Sequence, residues 1–150
     1  DLRKRRLEMI RLLRRLSRTE RFSEPMGWLM SVPGIGQLTG MTFMSEIDDI
    51  SRFKNADQLA SYIGMIPMCH SSGEHDGTGD ITLRCHSKLR AVLIEAAWVA
   101  IRQDAAMTQA YTEYCRRMKP SKAIIKIARR LVNRIYFVMK HKRKYVNNVA

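Results

Sequence analysis

The chain has 150 residues, carries a net charge of +13 with 27 Lys and Arg against 14 Asp and Glu, and is 45% hydrophobic. That length fits one domain, or one domain with an attached helix, and that apolar share suffices for a core. No signal peptide and no apolar run long enough to span a membrane is present, and three cysteines at irregular spacing suit reduced thiols better than a disulfide framework.

The charge is unevenly placed. From Cys115 to Ala150 there are twelve Lys and Arg and no acid, whereas the rest of the chain holds fifteen basic residues against fourteen acidic. Such a block favours nucleic acid or another anionic surface.

Residues 2–21 read as a basic amphipathic helix, with Leu2, Met9 and Leu16 seven apart and Leu12 and Leu13 thickening the stripe. This is the pattern of a coiled-coil end or a long linker helix. The chain begins at Asp1 in helix-like sequence, so a piece excised from a longer protein is expected. Ser23-Glu24-Pro25 signals a helix start, giving helices over 25–31 and 36–46 around Val32-Pro33-Gly34-Ile35-Gly36. This reads as a helix-hairpin-helix, whose glycines let the backbone approach a partner and whose second helix offers free N–H groups to a phosphate. Gly34, Ile35 and Gly36 are the contact candidates there. Residues 51–54 form a connector, and Asn55 caps a helix over 56–63 with Leu59, Ala60 and Ile63 on one face.

Residues 64–86 form an irregular, glycine-rich loop with no hydrophobic period, within which a loose hairpin over 78–84 can form. Helix returns over 87–103, with Leu89, Val92, Leu93, Ala96, Ala97, Ala100 and Ile101 at helical spacing, and again over about 106–118. Pro120 opens a last helix to about His141, with Ile124, Ala128, Leu131, Ile135 and Val138 inward, Lys122, Lys126 and Arg129 on another face, and Arg130 and Arg134 beside them. The tail from Lys140 to Lys144 reads as frayed. The expected fold is all-α: a helix-hairpin-helix-containing helical domain with an irregular glycine-rich loop and an N-terminal coiled-coil helix.

The loop holds the chemistry. Ser71-Ser72-Gly73 follows His70, and a serine hydroxyl becomes a nucleophile when a base or positive field activates it. Cys69, His70, His75, Cys85 and His86 are zinc-capable residues, but their spacing matches no usual zinc module, so no metal site is assigned. Glu46, Asp48 and Asp49 lie at one helix end and do not assemble a two-metal centre.

Val32-Pro33-Gly34-Ile35-Gly36, Asp49-Ile50-Ser51-Arg52-Phe53, Ala60-Ser61-Tyr62-Ile63-Gly64-Met65-Ile66-Pro67, Ser72-Gly73, Gly79-Asp80-Ile81-Thr82 and Leu89-Arg90-Ala91-Val92-Leu93 form an ordered series. Over about residues 28–115 it resembles the C-terminal transposase domain of the insertion sequence 110 (116/110/902) family of bridge-RNA-guided serine recombinases. The resemblance implies a nucleophilic serine, Ser72 by position with Ser71 as fallback. It also implies DNA and a guide (bridge) RNA as partners, a homo-oligomer, and magnesium held in a separate N-terminal domain, with no cofactor in this chain. It implies a division into a coiled-coil or linker end at 1–22, a transposase domain at 23–145 (helix-hairpin-helix 25–46, active-site loop 64–86, helices 87–141) and a tail at 146–150. A fragment without the acidic domain is expected to be inactive alone, and a bacterial cytoplasmic, nucleoid-associated setting follows. Where the family commonly has Lys and then Arg-Gly-Asn, this chain has Leu83, Arg84, Cys85 and His86. Arg84 keeps one cation, and Lys88 is the next candidate for supporting charge. The competing readings are a non-catalytic helix-hairpin-helix binding module and a basic amphipathic protein of membrane surfaces.

Overall fold

The computed structural model describes residues 1–65, 67–70, 77–81 and 87–147, the two middle stretches by backbone alone. Seven α-helices and one two-stranded hairpin appear among them, so the helical expectation holds.

Helix α1 spans Leu2–Ser17 and α2 spans Glu20–Met30. The single helix expected over 2–21 is therefore broken. Ser17 and Thr19 turn their hydroxyls back onto the carbonyls of Arg14 and Leu16, at 2.9 and 2.7 Å, and Thr19 becomes the extended N-cap of α2. The start signal at residues 23–25 is likewise displaced, because Pro25 lies inside α2. There it forfeits the bond its missing N–H would make four residues back.

Helix α3 spans Gln37–Ile47 and packs against α1, α2 and α5 (Ser87–Gln103). Ser17, buried, accepts a 2.7 Å hydrogen bond from Gln37 Nε2 and so ties α1 to the start of α3. A 3-10 turn over Ile50–Arg52 leads to α4, Ala56–Ile63. Asn55 caps α4 through a 2.9 Å bond from the Gln58 N–H, Gly64 closes it in a left-handed conformation, and Leu59, Ala60 and Ile63 are all buried, as their spacing predicts.

Strand β1 (Pro67–His70) pairs antiparallel with β2 (Gly77–Ile81), with Pro67 opposite Ile81, Cys69 opposite Thr78 and His70 opposite Gly77. Of the hairpin expected over 78–84, the described part, residues 78–81, pairs instead with Pro67–His70, and residues 82–84 lie outside the described residues. Ser71, Ser72, His75, Arg84, Cys85 and His86 lie outside the described residues, as do the side chains of Cys69 and His70.

Helix α6 spans Ala105–Cys115 and α7 spans Pro120–His141. Helix α7 is the axis of the domain: it packs against α2, α4, α5 and α6, and ten of its side chains are buried. Ile124, Ala128, Leu131, Ile135 and Val138 are among them, so a period-3.6 stripe becomes the core face. The tail is not frayed. Lys142 adopts a left-handed conformation, and the Tyr145 N–H donates to Ser31 Oγ at 2.7 Å. This returns the chain to the end of α2.

Candidate nucleic-acid interface

Between α2 and α3 the chain turns through Val32-Pro33-Gly34-Ile35. The Ile35 N–H bonds the Val32 carbonyl at 3.1 Å and Gly34 has φ +94°, the pattern of a type II turn. Gly34 is required here by its own chain. A Cβ at that position would stand 2.6 Å from the Ala96 carbonyl oxygen and 2.8 Å from Ala100 Cβ on α5. Its N–H is also spent, donating to Gln103 Oε1 at 3.0 Å. The close approach expected of this glycine is therefore to α5 and not to a phosphate. Ile35 is buried and offers no side chain to a partner. Gly36 is exposed, with nothing within 4 Å of an added Cβ, and it precedes α3 without a side chain to cap it. The first N–H groups of α3 are thus the part of the turn suited to an anion. Glu95 lines the hollow beside this helix end with Thr39 and Gln103, and its carboxylate opposes an anion on that side.

The denser positive field lies on α7. Lys122, Lys126 and Arg130 are exposed along one face. Tyr114 of α6 organises two of them: Arg130 Nε donates to its hydroxyl at 3.0 Å, and Lys126 Nζ and the Arg130 guanidinium lie 5.6 and 5.4 Å from its ring centroid. Arg116 and Arg117 share Glu113 at 3.1 and 3.7 Å beside this cluster. Arg129 is different. Its guanidinium is engaged by Asp57 of α4 and by Asn133 Oδ1, so it joins two helices and presents no open fork. Lys88 is exposed in the first turn of α5.

One buried ion pair stands behind this face. Asp104, 2% exposed, caps α6 through a 2.9 Å bond from the Ala106 N–H and also receives Arg134. Burial pushes its carboxyl pKa upward, but the Arg134 hydrogen bond and charge and the Ala106 and Met107 N–H groups outweigh it, leaving the group below its ordinary value. Tyr114 and Tyr145 escaped the sequence reading, as did the role of Arg134. Arg134 was legible only as one more cation in a basic run, and nothing local says that Asp104, thirty residues upstream, is its partner. Among the described residues no group of three or more His, Cys, Asp or Glu could hold a metal ion, and no helix is long and apolar enough to cross a membrane.

A helical domain with a glycine turn at one end and a cationic helix face is an arrangement shared by many nucleic-acid-binding proteins. The comparison with known families is narrower. The profile described as the transposase IS116/IS110/IS902 family matches residues 26–113. The chain belongs to this family. It is 35% identical over 74 residues to the transposase for insertion sequence element IS1111A of Coxiella burnetii, covering 49% of this chain and 20% of that protein. It is 30% identical over 86 residues to a probable family 20 transposase of Pseudomonas aeruginosa, covering 57% and 25% of the two chains. A pilin gene-inverting protein of Moraxella bovis is 29% identical over 123 residues, 78% of this chain and 37% of that protein. The chain therefore spans well under half the length of these relatives. The matched segment begins in α2 and ends in α6, so α1 and α7 lie outside it.

Proposed function

We propose that the full protein is a DNA transposase of a mobile insertion sequence and that this chain supplies its nucleophilic serine and much of its nucleic-acid contact. The observation that carries the reading is the match of residues 26–113 to a transposase family, joined to an α7 whose exposed face bears Lys122, Lys126 and Arg130. Ser72 Oγ attacks a DNA phosphorus, losing its proton and forming a phosphoserine linkage while a DNA hydroxyl departs; Ser71 is the fallback nucleophile. Arg84 and Lys88 stabilise the charge that develops on the phosphate. Gly36 and the start of α3 act as a helix-hairpin-helix contact to the backbone. Magnesium belongs to an acidic domain outside this chain, so the chain alone is inactive. A guide RNA selects the DNA sites, and the protein acts as a homo-oligomer in the bacterial cytoplasm, at the nucleoid. The exposed Leu2, Met9, Leu12 and Leu16 of α1 support a coiled-coil seam for the assembly.

The experiment is strand exchange by the full-length protein with guide RNA and magnesium. Ser72→Ala abolishes exchange while DNA affinity stays within about twofold, because the hydroxyl serves the reaction and not the binding. Retained exchange in the Ser71→Ala/Ser72→Ala double variant overturns the assignment and favours a non-catalytic binding module.

A further inference from the structure

The C-terminal half of α7 and the tail border an open cleft of about 630 Å³. Helix α7 contributes Asn133, Arg134 and Phe137, and the tail contributes Arg143, Lys144 and Tyr145. The Phe137 ring carries the His141 imidazole at 4.3 Å between centroids and the Arg143 guanidinium at 4.8 Å from its centroid, and the Arg134 guanidinium, mostly buried beside Asp104, lies 4.6 Å from the Tyr145 centroid. Phe137, on the solvent side of α7, is 38% exposed. Arg134 is neutralised by Asp104, but no acid lines the cleft, and Arg143 and Lys144 make no ion pair among the described residues. The tail side of the cleft is fixed by the chain itself, through the Tyr145 N–H to Ser31 Oγ bond.

We propose that this cleft binds an unpaired nucleotide of a single-stranded nucleic acid. The Tyr145 ring and the exposed part of the Phe137 ring take the base, the Asn133 Nδ2 amide, whose Oδ1 is already held by Arg129, donates to its polar edge, and Arg143 and Lys144 take the flanking phosphates. Base–aromatic stacking with a cationic track is the general solution for single strands, and it needs a base free of its pair. A duplex meets the Lys122–Lys126–Arg130 face with its phosphates and keeps its bases paired, so it cannot place one in the cleft. The inference rests on the nucleic-acid-binding reading above and adds a distinct surface to it. Deoxyribose and ribose strands share this chemistry.

The test measures binding of the 150-residue chain to four labelled probes: decamers of deoxythymidylate and of uridylate, an abasic deoxyribose-phosphate decamer, and a duplex. At least one base-bearing strand binds about tenfold more tightly than the abasic strand. Phe137→Leu, which keeps apolar bulk and removes the ring, erases that preference and leaves duplex affinity within about twofold. A decamer carrying 5-iodouracil cross-links on irradiation to Phe137 or Tyr145. Equal binding of base-bearing and abasic strands, a preference that survives in both Phe137→Leu and Tyr145→Leu, or competition by polyglutamate as strong as by the oligonucleotide overturns the cleft. Loss of all probes, the duplex included, in the wild-type chain counts instead against the nucleic-acid reading as a whole. Whichever base-bearing strand shows the Phe137-dependent preference identifies the natural source.

Discussion

Asp48 ends α3 with φ +60° and ψ −68°, and the Asp49 N–H bonds the Ile47 carbonyl across it at 2.7 Å. This is the positive-φ γ-turn, a strained conformation for a residue with a Cβ. Its ion pair with Arg21, 3.3 Å long, is about three-quarters exposed on both sides and contributes little. Asp48→Gly is expected to stabilise the chain by about 1 kcal/mol, read as a higher midpoint in urea; a lower midpoint would mean that the ion pair outweighs the strain. The two turn glycines make the converse pair. Gly34→Ala drives a Cβ onto the α5 backbone at positive φ and should cost about 3 kcal/mol, whereas Gly36→Ala meets open space and should cost less than about 1 kcal/mol. If α3 binds phosphate through its first N–H groups, Gly36→Ala lowers duplex affinity in a chain that is still folded. Pro-Gly-x-Gly was enough to reveal a turn, because the turn is a local property of those residues. That Gly34 faces α5 was not legible, since its neighbours Ala96 and Ala100 are more than sixty positions away.

At the scale of elements, α7 carries both the core and the charge. Its stripe was readable because period-3.6 burial is written in one segment, and so were α4 and α5 with their inward faces. The division of labour among its cations was not. Arg129 and Lys126 look alike in sequence, yet Asp57 claims one and Tyr114 supports the other. Replacing Lys122, Lys126 and Arg130 with Ala should therefore weaken binding to all duplexes alike and flatten the slope of log affinity against log salt by about 1 for each phosphate no longer neutralised. Arg129→Ala should instead loosen the packing of α4 on α7 and lower the thermal midpoint, with the salt slope unchanged. The Asp104–Arg134 pair gives this element its pH dependence. Asp104 has a folded pKa below its ordinary 3.8, so the unfolded chain binds the proton more readily. Its stabilising contribution is full above about pH 4 and is lost as pH falls through the folded value. Asp104→Asn should lower stability at pH 7, with a shallower decline than wild type between pH 4 and 2 in denaturant titrations. Equal acid slopes would place the acid lability elsewhere.

For the molecule as a whole, the all-helical reading held because strong periodic segments dominate the chain. What failed was the joining of elements. A basic stretch over 2–21 looked continuous, although two hydroxyls break it at 17–19. The strand at 67–70 could not be seen because its partner, and not its own pattern, makes it a strand. The tail looked frayed because its anchor is Ser31, on α2. Family membership was legible earlier than any of these contacts, since it rests on the order of several short blocks. Those blocks place Ser71 and Ser72 directly after β1, while the cations that α7 offers lie beyond the matched segment. The proposed division is thus a family-matched segment that carries the serines in its sequence and a basic last helix, outside that segment, that contacts nucleic acid.

The most direct measurement is to incubate the full-length protein with guide RNA, magnesium and labelled target DNA, quench in denaturant, and locate any protein–DNA adduct by peptide mass spectrometry. The account predicts a denaturation-resistant adduct on the peptide containing Ser72, present in wild type and absent in Ser72→Ala. An adduct that vanishes only in Ser71→Ala would move the nucleophile by one residue. An adduct that persists when both serines are replaced would contradict the assignment of a serine nucleophile to this chain.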